Sequence, residues 1–289
     1  MKNRRRFRDL TIRDNFMFAA VMMQEENCKK FLEMLLGIDI KQVNISYEKS
    51  LIYHPEYKGI RLDVYASDEN NTRYDIEMQI AKQDLGKRTR YYHSQMDMEI
   101  LESGKDYKEL PTSYVIFICN FDPFKKGKYC YTFENRCLED STLSMEDASR
   151  SIFLSTEGKD EESIPKELKE FLRFVKEDTP EHNLATEDSY VKELLRTIGR
   201  VKESRKWENG FMSWEAIRWD VKHEGRLEGR LEAQKESVLL LIEQWGEIPA
   251  SLRELITSET NEEILKEMLK VAARSTSLEE FEEKITNLK

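Results

Sequence analysis

Histidine and cysteine are scarce in this chain, and their scarcity excludes much. Four histidines in 289 residues, His54, His93, His182 and His223, are too scattered for a His-rich metal site. His93, one position past Tyr92 in a helical pattern, reads as structural. The four cysteines, Cys28, Cys119, Cys130 and Cys137, include no Cys-x-x-Cys pair. They read as reduced thiols, not as a zinc site or a disulfide framework. No Gly-rich phosphate loop is present. No window approaches the ~20 consecutive apolar residues that span a bilayer. The basic start, Met1 to Arg8, runs into Asp9 and Asp14 and not into an apolar stretch, so no secretory signal is expected. A cytoplasmic location without membrane contact follows as the expectation.

What is present is polar. Hydrophobic residues make up 39% of the chain and charged residues 35%, and 289 residues suffice for one large domain or two modest ones. The net charge of −10 is unevenly placed: residues 1–136 carry 23 Lys and Arg against 21 Asp and Glu, and residues 137–289 carry 23 against 35. A nucleic-acid binder normally has a basic footprint. Here it is local, in the run Arg4 to Arg8 and in Lys82, Lys87, Arg88 and Arg90.

The stretch Arg61 to Gln79 organises the rest. Two alternating runs flank the polar break Asp68-Glu69-Asn70-Asn71, the pattern of a β-hairpin. Side chains alternate faces along a strand, so Asp63 leaves the first strand on the polar side, and Asp75, Glu77 and Gln79 leave the second together. With the turn centred near Asn70, Asp63 and Glu77 face each other. Like charges opposed across a hairpin are destabilising. Either the face is solvated, or a divalent cation offsets the repulsion, since carboxylates on adjacent strands make half of an oxygen-rich site.

Around the hairpin, residues 16–36 read as two helices broken near Gln24–Asn27, with Asp14 as N-cap and Gly37 as stop. Val43 to Tyr47 reads as a strand, and residues 51–58, with Pro55, as a loop or irregular strand entry. Asp84 to Gly104 has helical spacing; Arg88, Tyr91, Tyr92 and Gln95 share one face of that helix. On such a face Arg88 is a surface ion-pair partner, or it points at the carboxylates or a phosphate. Tyr114 to Cys119 is a continuous apolar run, the signature of a strand buried on both faces. Tyr129 to Phe133 and Ile152 to Leu154 complete an α/β core. From Pro165 the chain is helical. Trp207, Trp214 and Trp219 read as a packed aromatic core or an interface. The tandem Gly225-Arg226-Leu227-Glu228 and Gly229-Arg230-Leu231-Glu232 places both glycines on one helix face. Glycine costs about 1 kcal/mol in a helix interior, which suggests close helix approach, as in self-association, or a hinge. Two further small helices are expected near Leu252–Ile256 and Ile264–Ala273. Three regions follow: 1–158 as an α/β domain, 159–224 as a helical extension, and 225–289 as an acidic helical tail.

Six motifs occur in order: Asp14-Asn15-Phe16-Met17-Phe18, Arg61-Leu62-Asp63-Val64, Ile76-Glu77-Met78-Gln79, Arg88-Thr89-Arg90-Tyr91-Tyr92, Gly104 to Leu110, and Tyr114 to Asp122. Together the chain resembles the Rpn family of recombination-promoting nucleases, transposase-like members of the PD-(D/E)xK nuclease superfamily, over residues 9–155. The resemblance implies a restriction-endonuclease-like α/β fold, a mixed sheet flanked by helices, followed by an all-helical C-terminal region. It implies a metal-dependent DNA endonuclease linked to recombination or mobile elements, with Mg²⁺, or alternatively Mn²⁺ or Ca²⁺, as cofactor and DNA as substrate.

Carried over residue by residue, Asp63 and Glu77 match the two metal-ligating acids, and the Met78 carbonyl would be a further ligand. Gln79 stands where the superfamily has lysine, and Asp14 matches the family's N-terminal acidic position. Arg88 and Lys82 are the candidates for the missing positive charge and for phosphate or DNA contact. Gln79 can position a water but cannot act as its base near neutral pH, so slow cleavage is expected. The alternative is a catalytically weak or inactive DNA- or protein-binding module on the same fold. A homo-oligomer through the helical C-terminus is the expected assembly.

Overall fold

The computed structural model describes residues 6–47, 50–51, 60–177, 179 and 186–286. Most of the loop expected around Pro55, the residues Arg4 and Arg5 of the basic start, and His54 and His182 lie outside the described residues, as does the side chain of His223. The chain divides into two compact units, Met1–Phe211 and Met212–Lys289.

The first unit is built on eight described strands: β1 (Val43–Tyr47), β2 (Ser50–Leu51), β3 (Ile60–Arg61), β4 (Val64–Asp68), β5 (Arg73–Gln79), β6 (Ser113–Cys119), β7 (Cys130–Phe133) and β8 (Ser149–Ser155). Six of them form one mixed sheet in the order β1-β4-β5-β6-β8-β7, and β2 and β3 form a separate short ribbon. Neighbours pair antiparallel except for β5–β6 and β6–β8, which are parallel. The hairpin turns where the polar break suggested. Asn71 takes a left-handed φ of 64°, and Asp68 Oδ1 accepts from the backbone N–H of Asn70 and of Thr72, both at 2.9 Å. Asparagine tolerates that conformation at low cost.

The continuous apolar run becomes β6, buried but for half-buried Tyr114 and set between two parallel neighbours. A parallel link needs a long crossover. Between β5 and β6 it is α1's later counterpart, the helix over Leu85–Ile100. The helices preceding it are α1 (Asn15–Met22) and α2 (Glu25–Leu36), so the crossover helix is α3. Asp84 caps α3 at the Lys87 N–H, 3.3 Å away. The helix ends at Ile100, short of the expected Gly104, which sits with φ 88° in the following turn. Register fixes what α3 covers. Tyr65 pairs with Asp75, Asp75 with Val115, and Val115 with Ser151; Glu77 pairs with Phe117, and Phe117 with Phe153. These side chains share one face. The apolar ones pack with Leu85, Tyr92 and Met96 of α3 in one core cluster. Ile76, Met78, Ile116, Ile118, Ile152 and Leu154, of the opposite parity, are buried too.

The helical extension expected as a separate region from residue 159 instead continues the first unit to Phe211. α4 (Lys166–Glu177) sets Phe171 against Phe31, with ring centroids 5.3 Å apart. α5 (Ser189–Glu203) ties back through the Tyr190 hydroxyl, which donates to the Asn27 carbonyl at 2.9 Å. α6 (Arg205–Glu243) begins with Trp207 and Phe211 edge-on to Phe16. These partners come from α1 and α2, so the amphipathic stripes of the extension complete the same core.

In the second unit the end of α6 packs with α7 (Ala250–Ser258), α8 (Glu262–Ala272) and α9 (Leu278–Thr286) around Val238, Ile242, Ile256, Leu265, Met268 and Phe281. Two small helices were expected after Pro249 and three form. α9 buries only Phe281 and Ile285 among acidic residues, too few apolar positions to stand out in a periodicity. Gly225 and Gly229 lie inside α6, and a side chain at either would meet nothing within 4 Å. Close helix approach within the chain is therefore not their reason. Trp219 is 60% exposed, so the tryptophans do not form one packed core.

His93 is structural, as its pattern suggested. It lies buried between α3 and the sheet, with Nδ1 2.9 Å from the Ser113 hydroxyl and Nε2 3.2 Å from that of Ser151. Burial pushes its pKa down to about 4. The unfolded chain takes that proton near 6.5, the folded chain only near 4, so stability falls as pH drops between those values. We expect a loss on the order of 3 kcal/mol from this residue across that window. Urea denaturation at pH 7 and pH 4.5 checks it: the drop should be smaller in His93→Gln.

Candidate functional site

Asp63 sits at the bend that leads into β4. The β4–β5 register, Val64 with Ile76 and Tyr65 with Asp75, extends to Asp63 opposite Glu77. The backbone N–H of Asp63 donates to Glu77 Oε1 at 3.0 Å, so the two acids stand side by side as the hairpin pattern required. The face that carries them is not solvated. Glu77 is 2% exposed and Asp75 not at all, because α3 lies over them. The surface reading of this face is thereby excluded.

Arg88 is what answers the repulsion in the structure. It reaches in from the first turn of α3, where its Nη2 meets Glu77 Oε2 at 2.6 Å. Its Nη1 donates to Gln79 Oε1 at 2.9 Å and its Nε to the Tyr92 hydroxyl at 2.7 Å. The guanidinium lies 4.9 Å from the Tyr92 ring centre and 5.3 Å from that of Phe117. A surface role for Arg88 is thus ruled out: its two terminal nitrogens reach Glu77 and Gln79, and Nη1 also lies 3.4 Å from Gln83 Oε1. The face that Arg88 shares with Tyr92 was legible, its inward direction was not. Lys82, the other cation expected here, is exposed and sits 6.0 Å from the Phe121 ring centre.

Gln79 is held at both ends. Its Oε1 takes the Arg88 bond and its Nε2 donates to the Ala81 carbonyl. Arginine has only donors, so the amide orientation follows from its partner. At 5% exposure, Gln79 fixes Arg88 and the end of β5.

Asp14 holds the N-cap position of α1, yet its side chain does not cap the helix. Its Oδ2 accepts from the Thr11 N–H at 2.9 Å and from the Thr11 hydroxyl at 3.4 Å, bracing the turn before the helix. The expected side-chain cap is corrected accordingly. The α1 residue joined to Asp63 by a hydrogen bond is its neighbour. Asn15 Nδ2 donates to Asp63 Oδ2 at 2.7 Å and lies 3.4 Å from the Met78 carbonyl oxygen. Nothing in the sequence pattern singled out Asn15, since a polar residue at a helix start reads as local capping.

The charges are crowded. Neither oxygen of Asp75 meets a hydrogen-bond donor among the described residues. Burial, then the charges of Glu77 and Asp63, raise its pKa well above the carboxylate range. Burial and the Asp63 charge also push Glu77 up to about 8, against the pull of Arg88.

The donor set fits a hard divalent cation in two respects. The Asp63 carboxylate and the Met78 carbonyl, both named by the resemblance, turn an oxygen toward the same nitrogen, Asn15 Nδ2, so their lone pairs converge on one point. Both donors are oxygens, as Mg²⁺ and Ca²⁺ require. Among the described residues no three His, Cys, Asp or Glu form a metal cluster. The fit is to a cation with few protein ligands. A separate cleft of about 510 Å³ opens along the flank of α3 that carries Gly86, Arg90, His93 and Asp97. Arg88 and Tyr92 leave the helix on the other side, so the carboxylates do not line it.

Removing Arg88 alone strands a buried acid. We expect Arg88→Met to cost about 3–5 kcal/mol at pH 9, above the pKa of about 8 at which Glu77 ionises beside Arg88. The double variant with Glu77→Gln should recover most of that, because it removes both charges. Denaturant titration of the two variants and the parent checks it.

No curated protein and no solved structure is significantly similar to the chain. The model of one family, described as PD-(D/E)XK nuclease family transposase, matches residues 13–225, from the turn before α1 into α6. That span contains the whole mixed sheet, its flanking helices and every residue of the carboxylate column, and with it the chain belongs to the PD-(D/E)XK nuclease family transposases.

Proposed function

We propose that the protein is a metal-dependent DNA endonuclease whose site is formed by Asp63, Glu77 and the Met78 carbonyl, with Mg²⁺ as the fitting cation and Mn²⁺ or Ca²⁺ as substitutes. The observation that carries this reading is the convergence of the Asp63 and Met78 oxygens on one point beside buried Glu77. A cation bound there would supply positive charge to phosphate oxygens and lower the pKa of a bound water. The residues of the chain do the rest. Asp63 and Glu77 hold the charge in place. Arg88, fixed by Gln79 and Tyr92, supplies the positive charge that lysine gives elsewhere in the superfamily. Exposed Lys82 is available to a DNA phosphate.

Gln79 has both ends engaged within the protein, and this favours slow turnover. It also favours the second reading, a DNA- or protein-binding module with little or no cleavage. No helix among the described residues is long and apolar enough to cross a membrane, and we infer that the protein meets its DNA in the cytoplasm. Asp14 enters the proposal as the brace of the turn that presents Asn15, not as a ligand.

Nicking of supercoiled plasmid in Mg²⁺ tests the reading. Asp63→Ala and Glu77→Ala should each abolish nicking with the circular-dichroism spectrum unchanged, and EDTA should stop the parent. Cleavage that survives both substitutions, or full activity in EDTA, would sink it. Retained DNA binding without cleavage in any divalent metal would favour the binding module. The open face around Gly225 and Gly229 is the proposed self-association surface. Sedimentation of Gly225→Lys/Gly229→Lys should then show a smaller species than the parent.

A further inference from the structure

We propose that Asn15 is the positioning residue of the cation site, the side chain that keeps Asp63 and the Met78 carbonyl aimed at one point and governs how tightly a cation binds there. The inference rests on the reading of those two groups as cation ligands.

Asn15 is the first residue of α1. Short polar side chains at such positions usually bond within their own turn. Asn15 does not. Its described hydrogen-bond partners lie 48 and 63 residues further along the chain, at the entry to β4 and near the end of β5. One amide group therefore pins a helix start to two strands. Both partners are acceptors, a carboxylate and a carbonyl, so the amide must present its nitrogen. At 2.7 Å the bond to Asp63 is short for an N–H donor, as charge-assisted bonds are. The Met78 N–H, 3.3 Å from the same Asp63 oxygen, completes its setting. Asp63 is only half-buried, so its orientation depends on these bonds more than on packing.

The position of the amide gives it a second property. Nδ2 stands where the two ligand oxygens converge and presents a partial positive charge to both. A cation bound beside these oxygens needs an oxygen at that position and not an N–H donor. The terminal amide torsion of asparagine is broad and roughly two-fold. A half-turn exchanges the donor nitrogen for the acceptor oxygen without moving the rest of the side chain. Asn15 can thus hold the oxygens together in the absence of a cation and offer a neutral oxygen in its presence. Partners that orient a metal ligand commonly govern affinity by about 10–100-fold.

Calorimetric titration of the full-length chain with Mn²⁺ and with Mg²⁺ tests the inference, using four proteins. The parent should bind and Asp63→Ala should not. Asn15→Ala should bind about tenfold more weakly, because Asp63 loses its anchor. Asn15→Asp should bind tighter than the parent, because it adds a carboxylate beside Asp63 where the cation is held. The same carboxylate should lower the Tm of metal-free Asn15→Asp, and Mn²⁺ should restore it. Binding by both Asn15 variants within twofold of the parent, with Asp63→Ala silent, overturns the role of Asn15 and leaves the site standing. An Asn15→Ala protein that binds more tightly overturns it as well. A parent that binds neither cation overturns the reading of Asp63 and Met78, and the inference with it.

Discussion

The short ion pair between Arg88 and Glu77 is the constraint on which this fold turns. Three carboxylates, Asp63, Asp75 and Glu77, stand together under α3, two of them essentially without solvent. A buried charge without a partner costs several kcal/mol, and a pair breaks even only where its geometry and remaining hydrogen bonds are good. Here the geometry is supplied from three sides. Gln79 and Tyr92 take the other donors of the guanidinium, and the Asp63 N–H takes the second oxygen of Glu77. One guanidinium cannot balance three carboxylates. The pKa of Asp75 is accordingly raised well above the carboxylate range, and that of Glu77 is pushed up to about 8.

That constraint explains why α3 must lie where it does. The parallel step from β5 to β6 demands a crossover, and any amphipathic helix of the right length could serve. A helix without arginine near its start would bury the acids uncompensated. The apolar positions Leu85, Tyr92 and Met96 fix the depth of the helix, and Arg88 then falls beside Glu77. Packing and electrostatics agree on one placement, the consistency that gives a sequence a single fold.

The sequence disclosed whatever depends on local pattern. The turn at Asn70–Asn71, the register that opposes Asp63 to Glu77, and the buried β6 all follow from alternation and from asparagine's tolerance of a left-handed φ. What stayed hidden depends on residues far apart in the chain. Asn15 and Asp63 are joined across 48 residues, and no periodicity records that. Arg88 shows its helix face in the sequence, but whether that face meets solvent or a carboxylate is decided by the sheet. The extent of the first unit was hidden for the same reason. Phe171 and Tyr190 announce amphipathic helices, but their partners Phe31 and Asn27 belong to α2, far back in the chain.

Asn15 and Arg88 also explain how such a site folds before any cation arrives. Carboxylates that face one another repel, and a site organised only by its metal would be disordered or splayed without it. In this chain Asp63 and Glu77 each have a positive partner. The Asn15 amide presents a weakly positive group to Asp63 and to the Met78 carbonyl, and the Arg88 guanidinium presents a full charge to Glu77. The two partners differ in what it costs to move them. An amide with a carbonyl oxygen on its other side can turn in place. A guanidinium tied to Glu77, Gln79 and Tyr92 cannot leave without exposing several groups at once. On the proposed reading the exchangeable part of the site is the Asp63 side, and the fixed part is the Glu77 side. Glutamine at position 79 suits this division. Its oxygen accepts from Arg88, whereas a lysine there would set a second cation against the first. Gln79 is thus coupled to the arginine in the first turn of the next helix. The positive charge beside Glu77 comes from α3, one layer above the carboxylates.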